Sequence, residues 1–217
     1  MQTYTVAKMP PGFAEQRAWD EVAALQLDHF RPEGSDHRPL TQVRLLYSRD
    51  GIAGVFRVED RFVRSVHTRY GDPVCLDSCV EFFVQPRRDG GYFNFEFNCG
   101  GAMLCCYILD LKRNTDEPKE SRALHAKDAA GVRVRSSMPA VVEPEIVDPV
   151  EWSLEFFIPF RLLEKYAGGL GDPAGQTWRA NFYKCGDETS HPHWASWRPV
   201  PEVNFHLPEY FGELRFG

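Results

Sequence analysis

The chain has 217 residues and a formal net charge of -6, long enough for a substantial core and of the wrong sign for a nucleic-acid or anionic-membrane surface, either of which favours a basic face. Apolar content of 43% and charged content of 26% are those of a globular protein, and no apolar run approaches the ~20 residues of a membrane span. Neither nucleic acid nor membrane is therefore expected as a partner.

The opening MQTYTVAKMPPGFAEQRAW lacks the apolar centre of a secretory signal. If Met1 is the native start, the protein is expected in the cytoplasm; otherwise it is secreted or extracytoplasmic. AEQRAWDEVAAL reads as a short helix or turn packed by Trp19. TQVRLLYS and GIAGVFRVED are strand-like runs separated by Ser48-Arg49-Asp50-Gly51, and an Asp-Gly between such runs is a hairpin signal. DSCVEFFVQP and GYFNFEFNCGGAMLCCYIL form a second hairpin joined through RRDGG. In the latter run Tyr92, Asn94, Glu96 and Asn98 share one face while Phe93, Phe95 and Phe97 share the other, the period-2 signature of a half-buried strand.

KRNTDEPKESRA reads as a polar surface loop, GVRVRSSM and VEWSLEFFIPF as strands, and FRLLEKYAG as a helix between Pro159 and Gly168-Gly169. TWRANFYKC and GELRF supply the last strands. In the former Arg179, Asn181 and Tyr183 share a face, expected with Glu96 and Asn98 to make the polar floor of a concave sheet, and a buried Glu96–Arg179 pair is one way to anchor it. The fold class is all-β: a two-sheet antiparallel β-sandwich with one or two short helices, one domain over residues 1–217 with residues 1–40 as an N-terminal strand and turn extension.

Between the last two strands lies HPHWASWRPVPEVNFHLPEYFG, with two Trp, two Phe, one Tyr, three His and four Pro in 22 residues. The prolines forbid a helix and interrupt any long strand, so the rings form a lid on the core that also makes one wall of a pocket. Trp197 is expected to pack under the sandwich end and Trp194 to offer an exposed ring. His191, His193 and His206 with Cys185 suggest zinc, but H-x-H on a loop lacks the fixed second pair of a zinc motif. Met103 and Met138 fall in no pairing with a histidine that would hold haem. The six cysteines, Cys75, Cys79, Cys99, Cys105, Cys106 and Cys185, are too sparse for a disulfide scaffold. Asp77, Glu81 and Glu96 on adjacent strands allow a hydrolytic reading, yet no nucleophile–base pair or phosphate loop accompanies them, which favours a protein that is not an enzyme.

The order TQVRLLYS, AGVFRVED, DSCVEFFVQP, YFNFEFN, EWSLEFFIPF, WRANFYKC, SWRP and P-x-x-FGELRF resembles the family 9 carbohydrate-binding modules over roughly Thr41 to Phe216. The resemblance implies a β-sandwich related to the DOMON sandwiches, a carbohydrate ligand, and calcium as a loop-stabilising ion, for which EDRF and RDGG are the oxygen-rich turns; no other cofactor is expected. It places Glu81 and Asn98 at the family's acidic and amide positions. Its two sugar-stacking Trp positions fall on Cys75 and Phe205, and its arginine on Glu96. The sugar site expected from residues and resemblance together is Trp194 and Phe205 for ring contact, with Glu81, Glu96, Asn98, Arg179, Asn181 and His206 for hydroxyls. Three outcomes stay open: another ring has replaced the lost Trp, the ligand differs, or the chain is a cytoplasmic enzyme or a regulatory or interaction protein on the same fold with a diverged or vestigial sugar site.

Overall fold

Each strand carries one apolar face, and two sheets close over those faces. The computed structural model describes residues 2–10, 18–109 and 120–217. The front sheet runs β10 (Glu120–Ala123), β9 (Met103–Leu109), β8 (Tyr92–Asn98), β7 (Cys79–Gln85), β14 (Thr177–Cys185), β16 (Gly212–Phe216). The back sheet runs β4 (Leu40–Tyr47), β5 (Gly51–Asp60), β13 (Val150–Pro159), β11 (Arg133–Ser136). Strand β1 (Thr3–Lys8) joins the two: Thr3 to Val6 pair with β16 and Ala7-Lys8 with β4, both in parallel, while the other pairings among the described residues are antiparallel. Short strands finish the edges: β2 (Leu25–Gln26) on β4, β3 (His29–Phe30) on β15 (Trp194–Ser196), β15 on β14, and β6 (Val63–Ser65) on β12 (Val142–Ile146).

The core lies between the sheets. Phe82, Phe182, Phe95 and Phe97 from the front meet Phe56 and Phe156 from the back, with Phe82 and Phe182 stacked at 4.9 Å and 7°. Trp197 is 1% exposed and packs on Phe182 at 5.9 Å, under the sandwich end as the sequence suggests. The hairpin through Ser48–Gly51 forms, and so does the helix α2 (Phe160–Ala167), stopped where Gly168 takes φ +83°, a left-handed value natural to glycine. A four-residue helix, α1 (Ala126–Ala129), precedes β11.

Two local expectations change, and an open one is decided. GYFNFEFNCGGAMLCCYIL is two strands, β8 and β9, because Gly101 at φ +91° turns the chain back on itself. The end of KRNTDEPKESRA is edge strand β10, paired with β9; residues 110–119 lie outside the described residues. Of the two N-terminal options, helix or turn, the described part is a 3-10 turn, Ala18–Glu21, where Trp19 packs on Leu46 and Val55 as expected; residues 11–17 also lie outside the described residues. No helix among the described residues is long and apolar enough to cross a membrane.

Candidate functional site

The outer face of the front sheet carries the polar rows. Register sets Glu96 opposite Glu81 across β8 and β7, and Glu81 opposite Tyr183 across β7 and β14. One step along, Asn98, Cys79 and Cys185 form the next row, and on the other side Asn94, Phe83 and Asn181 form another. The segment 198–211 folds over this face: Val200, Phe205 and Phe211 pack on Phe83, Tyr92 and Tyr183. The ring-rich stretch is thus a lid, and Phe205 stacks on Tyr183 at 4.0 Å and 12° while the Tyr183 hydroxyl donates to the Phe205 carbonyl at 3.1 Å.

Where the lid stops, a cavity of about 230 Å³ remains, lined by Cys75, Glu81, Phe83, Glu96, Cys185, Asp187, Trp194, Val203, Asn204, Phe205 and His206. It is smaller than the ~300–1,000 Å³ of drug-sized pockets. A wider hollow of about 600 Å³ around His37, Arg38 and Glu151 has no Trp, Tyr or Phe in its lining, and one of about 470 Å³ around Gln42 and Arg57 has the buried Trp152 alone, whereas the smaller cavity sets Phe83, Trp194 and Phe205 beside polar groups. Trp194 is partly exposed and held by its indole N–H, which donates to Asp187 Oδ1 at 2.8 Å. His206 Nδ1 shares a 2.9 Å hydrogen bond with the Tyr92 hydroxyl.

Five of the eight sequence-predicted site residues meet in this cavity: Glu81, Glu96, Trp194, Phe205 and His206. The other three are drawn into the scaffold. Asn98 donates to Asp77 Oδ2 at 2.9 Å and to the His67 carbonyl at 2.7 Å, and accepts from the Ala102 N–H at 2.9 Å. Asn181 donates to the Arg198 carbonyl and accepts from the Arg198 and Phe182 N–H groups. Arg179 donates to the Glu209 carbonyl at 3.1 Å and stands opposite Gln85, four residues along β14 from Tyr183. No Glu96–Arg179 pair follows from that register. Replacing Asn98 by Ala removes one of the donors to Asp77 and the acceptor of the Ala102 N–H in the β8–β9 turn, so a loss of ~1–3 kcal/mol is expected in chemical denaturation.

Sequence reasoning missed Asp187 and Asn204, both on loops without periodicity. The period-2 rows carried a usable signal for Cys185, which follows Tyr183 on the outward face. The three histidines part company: His191 stacks on Phe62 at 3.6 Å, His206 enters the cavity, and buried His193 accepts from the Lys184 ammonium at 2.8 Å. In the two turns named for calcium, one carboxylate of each is already engaged. Asp60 of EDRF accepts from His37, Arg61 and Trp152, and Asp89 of RDGG is paired with Arg87 at 3.1 Å.

The electrostatics are lopsided. Burial, then the facing Glu96, pushes the Glu81 carboxyl well above the usual range. Burial raises Glu96 to about 7, Asn94 opposing and Asp187 adding to the rise. Burial also raises Asp187, against the Trp194 hydrogen bond. Burial and the neighbouring carboxylates push the Cys75 thiol up, so it is no nucleophile near neutrality. The site is a small half-aromatic hollow floored by acids whose proton affinity burial raises.

The comparisons agree with this architecture. The sequence model of carbohydrate-binding family 9 matches residues 15–216. A solved structure from Bacteroides uniformis ATCC 8492, of a protein whose proposed role is carbohydrate binding, is 28% identical with a TM-score of 0.86, covering 100% of this chain and 99% of that one. A family 9 carbohydrate-binding module from Caldicellulosiruptor kristjanssonii in complex with glucose has 10% identity and a TM-score of 0.66, covering 100% and 96% of the two chains. A family 9 module from the same organism with cellotriose has 11% identity and a TM-score of 0.61, covering 99% and 93%. No curated protein matches the chain. A family match over nearly the whole length, on the sandwich just described, settles the kinship: the chain belongs to carbohydrate-binding family 9.

Proposed function

We propose that the protein is a noncatalytic carbohydrate binder that takes a monosaccharide, or the end of an oligosaccharide, in the cavity on the outer face of the front sheet. The observation that carries this reading is that Trp194 and Phe205 line the same hollow as Glu81 and Glu96. A pyranose has apolar C–H faces that lie against rings and a rim of hydroxyls that needs directed partners. Trp194 and Phe205 supply the first; Glu81, Glu96, Asp187, Asn204 and His206 supply the second. The family 9 module with glucose shares the fold, and a volume of about 230 Å³ suits a single sugar ring better than a chain. Affinity in the micromolar to millimolar range is expected, about -4 to -8 kcal/mol.

The test is a titration of glucose, cellotriose and a panel of other sugars, followed by tryptophan fluorescence and by calorimetry. Trp194→Ala and Phe205→Ala are each expected to weaken binding about tenfold, the loss of one ring contact. A folded protein silent across the panel overturns the proposal. That result favours the interaction-protein reading, which draws on Cys75 standing where the family has a stacking Trp.

A further inference from the structure

Beneath the cavity lies a second arrangement, which shares Glu81 with the sugar reading and adds two buried thiols that sugar binding does not use. Cys79 and Cys185 are direct register partners across β7 and β14, and Glu81 follows Cys79 on the same outward face. Their Sγ and carboxylate oxygen atoms all lie within 4.8 Å of one another, and among the described residues they are the one set of three or more His, Cys, Asp or Glu ligand atoms so gathered. Cys185 Sγ and Glu81 Oε1 are already 3.2 Å apart. The ligand atoms of a tetrahedral zinc site with ~2.3 Å bonds to sulfur stand ~3.5–3.8 Å from each other, so small side-chain rotations suffice. All three residues are buried, at 0%, 3% and 1% exposure.

We infer that Cys79, Cys185 and Glu81 form a binding site for a soft divalent cation such as Zn²⁺, with a fourth position facing the cavity.

Three features point to a cation. A carboxylate as buried as Glu81 ordinarily has a strong donor or a cationic partner; the donor shown for it is a thiol, a weak one. The cavity adds Glu96, Asp187 and Cys75 around the same point, so further groups that a cation would draw into their charged forms surround it. Two sulfurs and one oxygen on neighbouring strands select a thiophilic metal over calcium or magnesium, which take oxygen. Glu81 and Cys185 border the cavity while Cys79 lies under them, which leaves the open coordination position on the cavity side for water or another oxygen ligand. On binding, two sulfur–metal bonds and one Glu81 oxygen–metal bond form in place of bonds to water on the hydrated ion, the thiol protons and any proton on Glu81 pass to solvent with that water, and no electron is transferred.

The inference does not rest on the sugar reading, and it is read by a different signal. Metal-free full-length protein, kept reduced with a phosphine, is titrated with Co²⁺ while absorption is followed, and with Zn²⁺ in competition against a chromophoric chelator. One ion per chain is expected, with thiolate-to-cobalt charge-transfer bands. Cys79→Ser and Cys185→Ser should abolish the bands and lower affinity at least ~100-fold, and Glu81→Gln at least ~10-fold. Cys106→Ser, a half-buried thiol facing Asn94 elsewhere on the same sheet, should change nothing. Absence of saturable binding in the wild type overturns the inference, as do cobalt binding without thiolate bands and bands that survive both cysteine variants. Should the cysteine variants fail to fold, the wild-type spectrum and Glu81→Gln decide.

Discussion

Replacing Asp60 by Ala is expected to remove ~3–5 kcal/mol of stability, because it leaves an uncompensated charge inside the sandwich. Lys184 is fully buried on the inward face of β14, in the row that otherwise holds Trp178, Ala180 and Phe182. Its ammonium sits 3.4 Å from Asp60 Oδ2 and donates to His193 Nε2 and to the Cys185 carbonyl. Asp60 ends the inward row of β5, where it accepts from His37 Nε2 at 2.7 Å and from the Trp152 indole at 3.0 Å. Against the upward push of burial, Lys184, His37, His193 and Trp152 hold its carboxyl well below the usual range. Asp60→Ala therefore orphans an ammonium, an imidazole and an indole together. The double variant Asp60→Ala, Lys184→Met should recover much of the loss, since a buried ion pair is often matched by apolar packing. Urea unfolding of wild type, single and double variants measures both terms. A single variant within ~1 kcal/mol of wild type would show that water reaches Lys184 and solvates it.

The same residues show how far the sequence alone carries. Period-2 alternation found the inward Phe row of β8 and the outward row bearing Glu96, and the Asp-Gly turn fixed the β4–β5 hairpin. Alternation assigns a side chain to a face but not to a position along the sheet. That is why Arg179 and Asn181, on the correct face of β14, stand opposite Gln85 and Phe83 and miss the cavity, and why Asn98 is taken up by Asp77. Register between strands distant in sequence decides such neighbours, and nothing local encodes it. Loop contributors such as Asp187 have no period at all. Lys184 and Asp60 were legible in principle: each continues an apolar row by two residues, so each announces a buried charge in need of the other. The family resemblance covers the fold well because inward rows and turns carry it; it says less about the site, where Cys75 and Glu96 replace residues that the resemblance leads one to expect.

Neutralising the acid floor is expected to stabilise the metal-free protein, and more so as pH rises. Glu81 faces Glu96 across the sheet, with Asp187 from the loop, Cys185 on the next strand and Cys79 one row away. Both glutamates have folded-state proton affinities above the unfolded value of 4.5, Glu96 at about 7 and Glu81 raised well beyond 4.5. The folded chain thus binds more protons than the unfolded chain between those limits, and stability falls as pH rises through that window. At ~1.4 kcal/mol for each tenfold change in proton affinity, moving Glu96 from 4.5 to about 7 costs on the order of 3 kcal/mol above pH 7. His193 works in the opposite sense. Burial and then Lys184 lower it to about 3, so its contribution is present above 6.5 and is lost as pH falls towards 3. Between pH 4.5 and 6.5 His193 offsets one of the two glutamates, so the wild-type profile should descend gently there and more steeply above it. Glu96→Gln, which keeps the shape and the Asn94 contact, should remove Glu96's share of the descent and raise stability at pH 8 by ~1–3 kcal/mol while leaving pH 4 nearly unchanged. Thermal or denaturant melts of both proteins across pH 4–9 with a chelator present give the comparison. A Glu96→Gln curve parallel to wild type would mean that Glu96 reaches water and keeps its ordinary proton affinity in the folded state.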